Sequence, residues 1–97
     1  MKKIQLGNTN LSVSQIALGM MRSSVNTEKE LRPLLETAAE EGINFVDHAD
    51  IYARITSSEE LYGRVMKEAP QLRDKFIVQT KCGICRGYYD FSYEHIM

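Results

Sequence analysis

Gly42-Ile43-Asn44-Phe45-Val46-Asp47-His48-Ala49-Asp50-Ile51-Tyr52 is the stretch on which the fold turns. Gly42 sits where a helix would close through a left-handed residue. Ile43-Asn44-Phe45-Val46 then reads as a buried strand, and a carboxylate, Asp47, ends it. Tyr52 follows one helical turn or short loop later. The pattern returns at Phe76-Ile77-Val78-Gln79-Thr80-Lys81, an apolar run read as a strand over Phe76 to Thr80 and ending in a lysine. A carboxylate, a phenol and an ammonium at the ends of neighbouring strands can make a tyrosine into a proton donor, because the ammonium stabilises the phenolate and the carboxylate holds the ammonium.

Upstream, Lys3-Ile4-Gln5-Leu6 and Leu11-Ser12-Val13 alternate apolar and polar residues around Gly7-Asn8-Thr9-Asn10, a hairpin signal. Gln15-Ile16-Ala17-Leu18 reads as a buried strand ending at Gly19. Leu31, Leu34, Leu35, Ala38 and Ala39 recur at helical spacing, and Thr27 with Glu30 has the spacing of a capping box. Pro33 lacks an N–H, so either a kink or a helix start nearer Arg32 is expected. Ser57 and Glu60 offer a second capping box ahead of Leu61, Val65 and Met66, and Pro70 ends that helix. Gly83 and Gly87 mark a loop, and Ser92-Tyr93-Glu94-His95-Ile96 reads as the first turn of another helix. Alternating β and α segments with apolar strands imply an α/β fold whose parallel sheet is joined by right-handed crossovers. Three such strands leave both sheet edges open, which favours self-association and suggests a piece of something larger.

The chain has 97 residues and a formal charge of −1, with no basic stripe to suit nucleic acid. The longest apolar run near the N-terminus, Ile16 to Met21, falls far short of the roughly 20 residues that span a bilayer. Lys2 and Lys3 are followed by Gln5, Asn8 and Asn10 rather than by the apolar core of a signal peptide. A cytoplasmic protein with no membrane and no nucleic-acid partner is the expectation. No G-x-G-x-x-G is present, so a Rossmann fold has no support.

From Gly42 to Tyr52 the sequence resembles the aldo-keto reductase family, in particular a bacterial subgroup of oxidoreductases. Lys3 to Gly19 is similar to that family's opening hairpin and first barrel strand. Ser58-Glu59-Glu60-Leu61-Tyr62-Gly63 resembles its S-E-x-x-L-G helix start, with Tyr62 for leucine, and Val78-Gln79-Thr80-Lys81 its lysine-bearing strand. The resemblance implies a (β/α)8 TIM barrel, a fold of about 250 residues with its active site at the C-terminal strand ends. Residues 1–97 would be the N-terminal part of a single such domain: the hairpin plus the first three βα units, truncated before barrel closure. It also implies NADPH-dependent reduction of aldehydes or ketones, with a small-molecule carbonyl substrate. Tyr52 would be the general acid, Lys81 its tuner and Asp47 the lysine's partner, while Gly19, Met20 and Asp47 would lie near the nicotinamide. The family's catalytic histidine belongs after the next strand, beyond Met97, so the 97 residues alone are expected to be inactive. Ala53 stands where the family usually has glycine, Ala53-Arg54-Ile55-Thr56 is an unusual loop start, and His48 replaces a more common threonine or serine.

Other residues have plainer readings. Cys82-Gly83-Ile84-Cys85 supplies only half of a tetrahedral metal site and lies in a loop rather than opening a helix, so no metal is assigned. His48 is expected to be structurally hydrogen-bonded and His95 exposed. Tyr88, Tyr89 and Phe91 form an aromatic cluster that suits a pocket wall or packing against further barrel. Two rivals to the reductase reading remain: a non-catalytic fragment that persists through oligomerisation or partner binding, and a small metal- or disulfide-switched module built on Cys82 and Cys85.

Overall fold

A computed structural model describes all residues, 1–97. The chain begins with an antiparallel hairpin of β1 (Lys3–Gln5) and β2 (Ser12–Ser14), in register Ile4 to Val13. Gly7 makes the turn at φ +56°. The hairpin is tied to the rest of the molecule through Asn44. Its Oδ1 accepts the Ser14 N–H at 2.6 Å, its Nδ2 donates to the Ser12 carbonyl at 3.0 Å, and its own N–H donates to Ser14 Oγ at 3.1 Å.

Three short strands, β3 (Leu18–Gly19), β4 (Phe45–Asp47) and β5 (Ile77–Gln79), form a parallel sheet in that order. The strand at the first of these positions is shorter than its apolar run suggested. Ile16 is exposed, Ser14 Oγ bonds the Ile16 carbonyl, and the Gln15 N–H returns to the Lys2 carbonyl. Residues 15–17 are therefore spent turning from the hairpin into the sheet. The other two strands are also trimmed, with Ile43, Asn44, Phe76 and Thr80 outside them.

Helix α1 (Glu28–Glu40) starts at its capping box rather than near Arg32. The Glu30 N–H donates to Thr27 Oγ1 at 3.3 Å and the Thr27 N–H to Glu30 Oε1 at 3.2 Å. Pro33 lies inside this helix on an exposed face, where the carbonyl it leaves unpaired can bond water. Leu31, Leu35 and Ala38 face the core, but Leu34, at the flank of that stripe, is exposed. The helix closes with a Schellman pattern: the Ile43 N–H bonds the Ala38 carbonyl at 2.9 Å and the Gly42 N–H the Ala39 carbonyl at 3.0 Å. Gly42 takes φ +88° to do so.

Helix α2 (Ser58–Glu68) is capped by Ser57, which accepts from the Glu60 N–H without the reciprocal bond. Pro70 ends it and also opens the short helix α3 (Pro70–Arg73), where its missing N–H costs nothing. One core joins Val46 of the sheet to Leu31, Leu35 and Ala38 of α1, Leu61, Tyr62, Val65 and Met66 of α2, and Leu72, Phe76 and Met20. The segment read as a plain loop after Lys81 contains a small hairpin, β6 (Ile84–Cys85) with β7 (Tyr88–Tyr89), turning at Arg86-Gly87. Gly87 supplies the positive φ of +82° that this turn uses. Helix α4 (Tyr93–Ile96) follows, with Ser92 accepting from the His95 N–H. No helix is long and apolar enough to cross a membrane.

Candidate active site

The site lies at the carboxyl ends of β3, β4 and β5. Register places Gly19 beside Asp47 and Asp47 beside Gln79. Side chains alternate along a strand. Val46 and His48 therefore face the helices, where Val46 joins the core and His48 meets α2, and Asp47 faces the other side of the sheet. Backbone bonds extend the pairing past the strands: the His48 N–H bonds the Gln79 carbonyl at 2.8 Å, the Asp50 N–H the Lys81 carbonyl at 3.1 Å, and the Met20 N–H the Asp47 carbonyl at 2.9 Å.

Lys81 Nζ donates to both oxygens of Asp47, at 3.0 and 2.9 Å, and to the His48 carbonyl at 2.9 Å. These three contacts match the three N–H groups of an ammonium. Gln79 Nε2 donates to Asp47 Oδ1 at 2.7 Å. The Lys81 ammonium, followed by the Gln79 amide, holds the Asp47 carboxyl below its ordinary range. Asp47 in turn raises Lys81, with Tyr52 a smaller contributor. Nζ stands 5.0 Å from the centroid of the Tyr52 ring, within the range of a cation–π contact.

Tyr52 is positioned by backbone bonds in a loop that runs back on itself. Its N–H bonds the Ala49 carbonyl at 3.1 Å, and its carbonyl accepts the Ser58 N–H, the first of α2, at 2.8 Å. Two further N–H groups of the loop, Ile55 and Thr56, both bond the Ser24 carbonyl at 3.1 Å. The structure thus brings Asp47, Tyr52 and Lys81 together. Tyr52 and Lys81, with Ala49, Asp50, Ile51, Cys82 and Ile84, line a depression of about 80 Å³.

The three residues assigned to a cofactor differ in what they present. Gly19 is exposed, and apart from its chain neighbours nothing lies within 4 Å of where a Cβ would stand. Asp47 keeps 30% of its side chain exposed beside it. Met20 is 1% exposed with its side chain in the core, so only its backbone reaches this edge. These surroundings leave an open patch of backbone beside the Asp47 carboxylate.

His48 is structurally hydrogen-bonded, as its sequence setting suggested, with Nδ1 3.0 Å from Ser58 Oγ and its ring edge-on to Tyr62. Burial pushes its pKa down, and Nε2 has no partner. His95 is exposed, with Nε2 3.6 Å from Asp50 Oδ2 and 3.8 Å from Cys85 Sγ. Cys82 and Cys85 are free thiols. Tyr89 and Phe91 stack at 6.3 Å and stay exposed with Tyr88. Sequence reading missed Gln79 as a partner of Asp47, and the link between Thr80 Oγ1 and Glu59 beside it. Only the strand register reveals the first, since Gln79 lies directly opposite Asp47.

Comparison with known proteins follows the same line. Residues 15–97 match the profile of the Aldo/keto reductase family. A 6-dehydroglucose reductase of Novosphingobium aromaticivorans is 41% identical over 100 residues, covering 95% of this chain and 33% of its own. A second 6-dehydroglucose reductase, from Agrobacterium fabrum, is 37% identical, covering 87% of this chain and 29% of its own. The holo form of an aldo-keto reductase from Bacillus halodurans superposes with TM-score 0.76 at 33% identity, covering 99% of this chain and 33% of that one. The chain thus spans about a third of the length of the curated relatives it matches. It belongs to the aldo/keto reductase family.

Proposed function

We propose that residues 1–97 supply the N-terminal part of one TIM-barrel domain and, with later strands, form an NADPH-dependent reductase of aldehydes or ketones in the cytoplasm. The observation that carries this reading is the Lys81 ammonium, bonded to both Asp47 oxygens and standing 5.0 Å from the Tyr52 ring. When bound, NADPH supplies the hydride that turns the carbonyl carbon into an alcohol carbon.

Charge then gathers on the carbonyl oxygen, and Tyr52 donates its hydroxyl proton to it. A free phenol, with a pKa near 10, is a weak acid at neutral pH. The ammonium of Lys81 lowers the energy of the phenolate left behind, and Asp47 keeps that ammonium charged and in place. Gln79 fixes the carboxylate from its other side. Gly19 leaves room beside Asp47 for the ring that carries the hydride.

The experiment is to supply the full-length protein that carries these residues with NADPH and a panel of aldehydes and ketones. The expected result is carbonyl-dependent oxidation of NADPH with one alcohol formed per cofactor. Protein that binds NADPH yet reduces no carbonyl would overturn the reading.

A further inference from the structure

Arg22 and Arg54 line one cavity of about 290 Å³ with Met21 and Val25, and no acidic residue borders it. Elsewhere Arg32 pairs with Glu36 and Arg64 lies near Glu28 and Glu60, while Arg73 and Arg86 lack an acidic partner but border no such hollow. Arg22 and Arg54 form no such pair. Two arginines thus line one hollow with no acidic residue of the protein beside them.

Both stand close along the chain to residues of the candidate site. Arg54 follows Tyr52 by two residues, which keeps the two Cα atoms within about 7 Å. Arg22 follows Met20 by the same interval, and the Met20 N–H bonds the Asp47 carbonyl. Arg22 lies in a short 3-10 helix, Met21–Val25, that is clipped to the loop carrying Arg54. The Ser24 carbonyl accepts from both Ile55 and Thr56, and Ser24 is 1% exposed. The two arginines thus stand on neighbouring segments joined by backbone bonds. Met21 and Val25 give the hollow an apolar wall suited to a short carbon chain.

We propose that Arg22 and Arg54 bind the anionic group, carboxylate or phosphate, of a carbonyl substrate whose reacting end reaches Tyr52. This rests on the reductase reading. Guanidinium forks match the paired oxygens of either anion, and a substrate held at that end presents its carbonyl to the proton donor. The site would favour semialdehydes or sugar phosphates over their uncharged counterparts.

Binding of succinate and of inorganic phosphate to the full-length protein is measured by calorimetry for wild type, Arg22→Gln and Arg54→Gln, alongside NADPH affinity. Reduction of succinic semialdehyde against butanal, and of glyceraldehyde 3-phosphate against glyceraldehyde, is measured in parallel. Expected is anion binding that weakens roughly tenfold in each variant, with NADPH affinity unchanged. The KM for the charged carbonyls should rise similarly, with the uncharged ones unaffected. Preference for succinate or for phosphate identifies which anion is taken. Equal anion binding by wild type and variants would overturn the proposal, and so would a parallel loss of NADPH affinity, which would assign the pair to the cofactor. If no carbonyl is reduced but arginine-dependent anion binding persists, the reductase reading fails while the anion site stands.

Discussion

Lys81 Nζ, two residues past the end of β5, bonds both carboxylate oxygens of Asp47 at the end of β4, at 3.0 and 2.9 Å. The pair is also open to solvent, with 46% of the lysine side chain and 30% of the aspartate side chain exposed. Exposure of that degree makes an ion pair a weak source of stability. Its value lies in where it puts a positive charge.

Lys81→Met therefore separates chemistry from folding. Carbonyl reduction should fall by roughly 10²–10³ as the phenolate loses its compensating charge, while stability changes by no more than about 1 kcal/mol. Any stability the pair does give is present above the unfolded aspartate pKa, near 4, and lost as pH falls through the lowered pKa of Asp47. At the alkaline end it is present below the unfolded lysine pKa, near 10.4, and lost as pH rises through the raised pKa of Lys81. Urea titrations of both proteins across pH, beside their rates, check this.

His48 should impose a separate acid dependence. Burial lowers its pKa, against the smaller upward pull of Glu59 and Asp47. Well above about pH 6.5 the imidazole is neutral in both folded and unfolded chains. As pH falls below that value the unfolded chain takes up a proton that the folded one resists, so stability drops by at most about 1.4 kcal/mol per pH unit. Replacing His48 with Gln should flatten this slope as pH falls through about 6.5, even though loss of the Ser58 contact lowers stability throughout. An unchanged slope would place the titration elsewhere.

Tyr62 buries a hydroxyl without a partner, and that burial raises its pKa. Tyr62→Phe removes the unsatisfied oxygen and keeps the ring that packs on His48. Thermal unfolding should show the variant to be as stable as the parent or up to about 1 kcal/mol more stable.

Gly42 stands at φ +88° in the helix-closing bonds of α1. An alanine there should cost about 1–2 kcal/mol, and an asparagine less, because its side chain tolerates the left-handed region. Equal cost for both would indicate that the approach of Met1 Cβ, 2.8 Å from an added Cβ, matters more than φ.

The parts of this fold written in local chemistry were legible in the sequence. Thr27 and Glu30 bracket a helix start, and Gly42 marks its end, because caps are made by residues three or four apart. Pro33 misled for the same local reason: the lost N–H is a fixed cost, whereas the packing of Leu31, Leu35 and Ala38 that offsets it is tertiary. The Ile84–Tyr89 hairpin was missed although Gly87, flanked by apolar and aromatic residues, carried its signal. At the site, Asp47, Tyr52 and Lys81 could be picked out because each ends or follows a readable strand. Gln79 could not, since its role depends on which residue faces it across the sheet.

The account rests on Tyr52 as the proton donor, and replacing it with phenylalanine tests that most directly. The rate of NADPH-dependent carbonyl reduction by Tyr52→Phe in the full-length protein should fall by roughly 10²–10⁴ relative to the parent, with NADPH affinity retained. A variant that reduces carbonyls as fast as the parent would contradict the account.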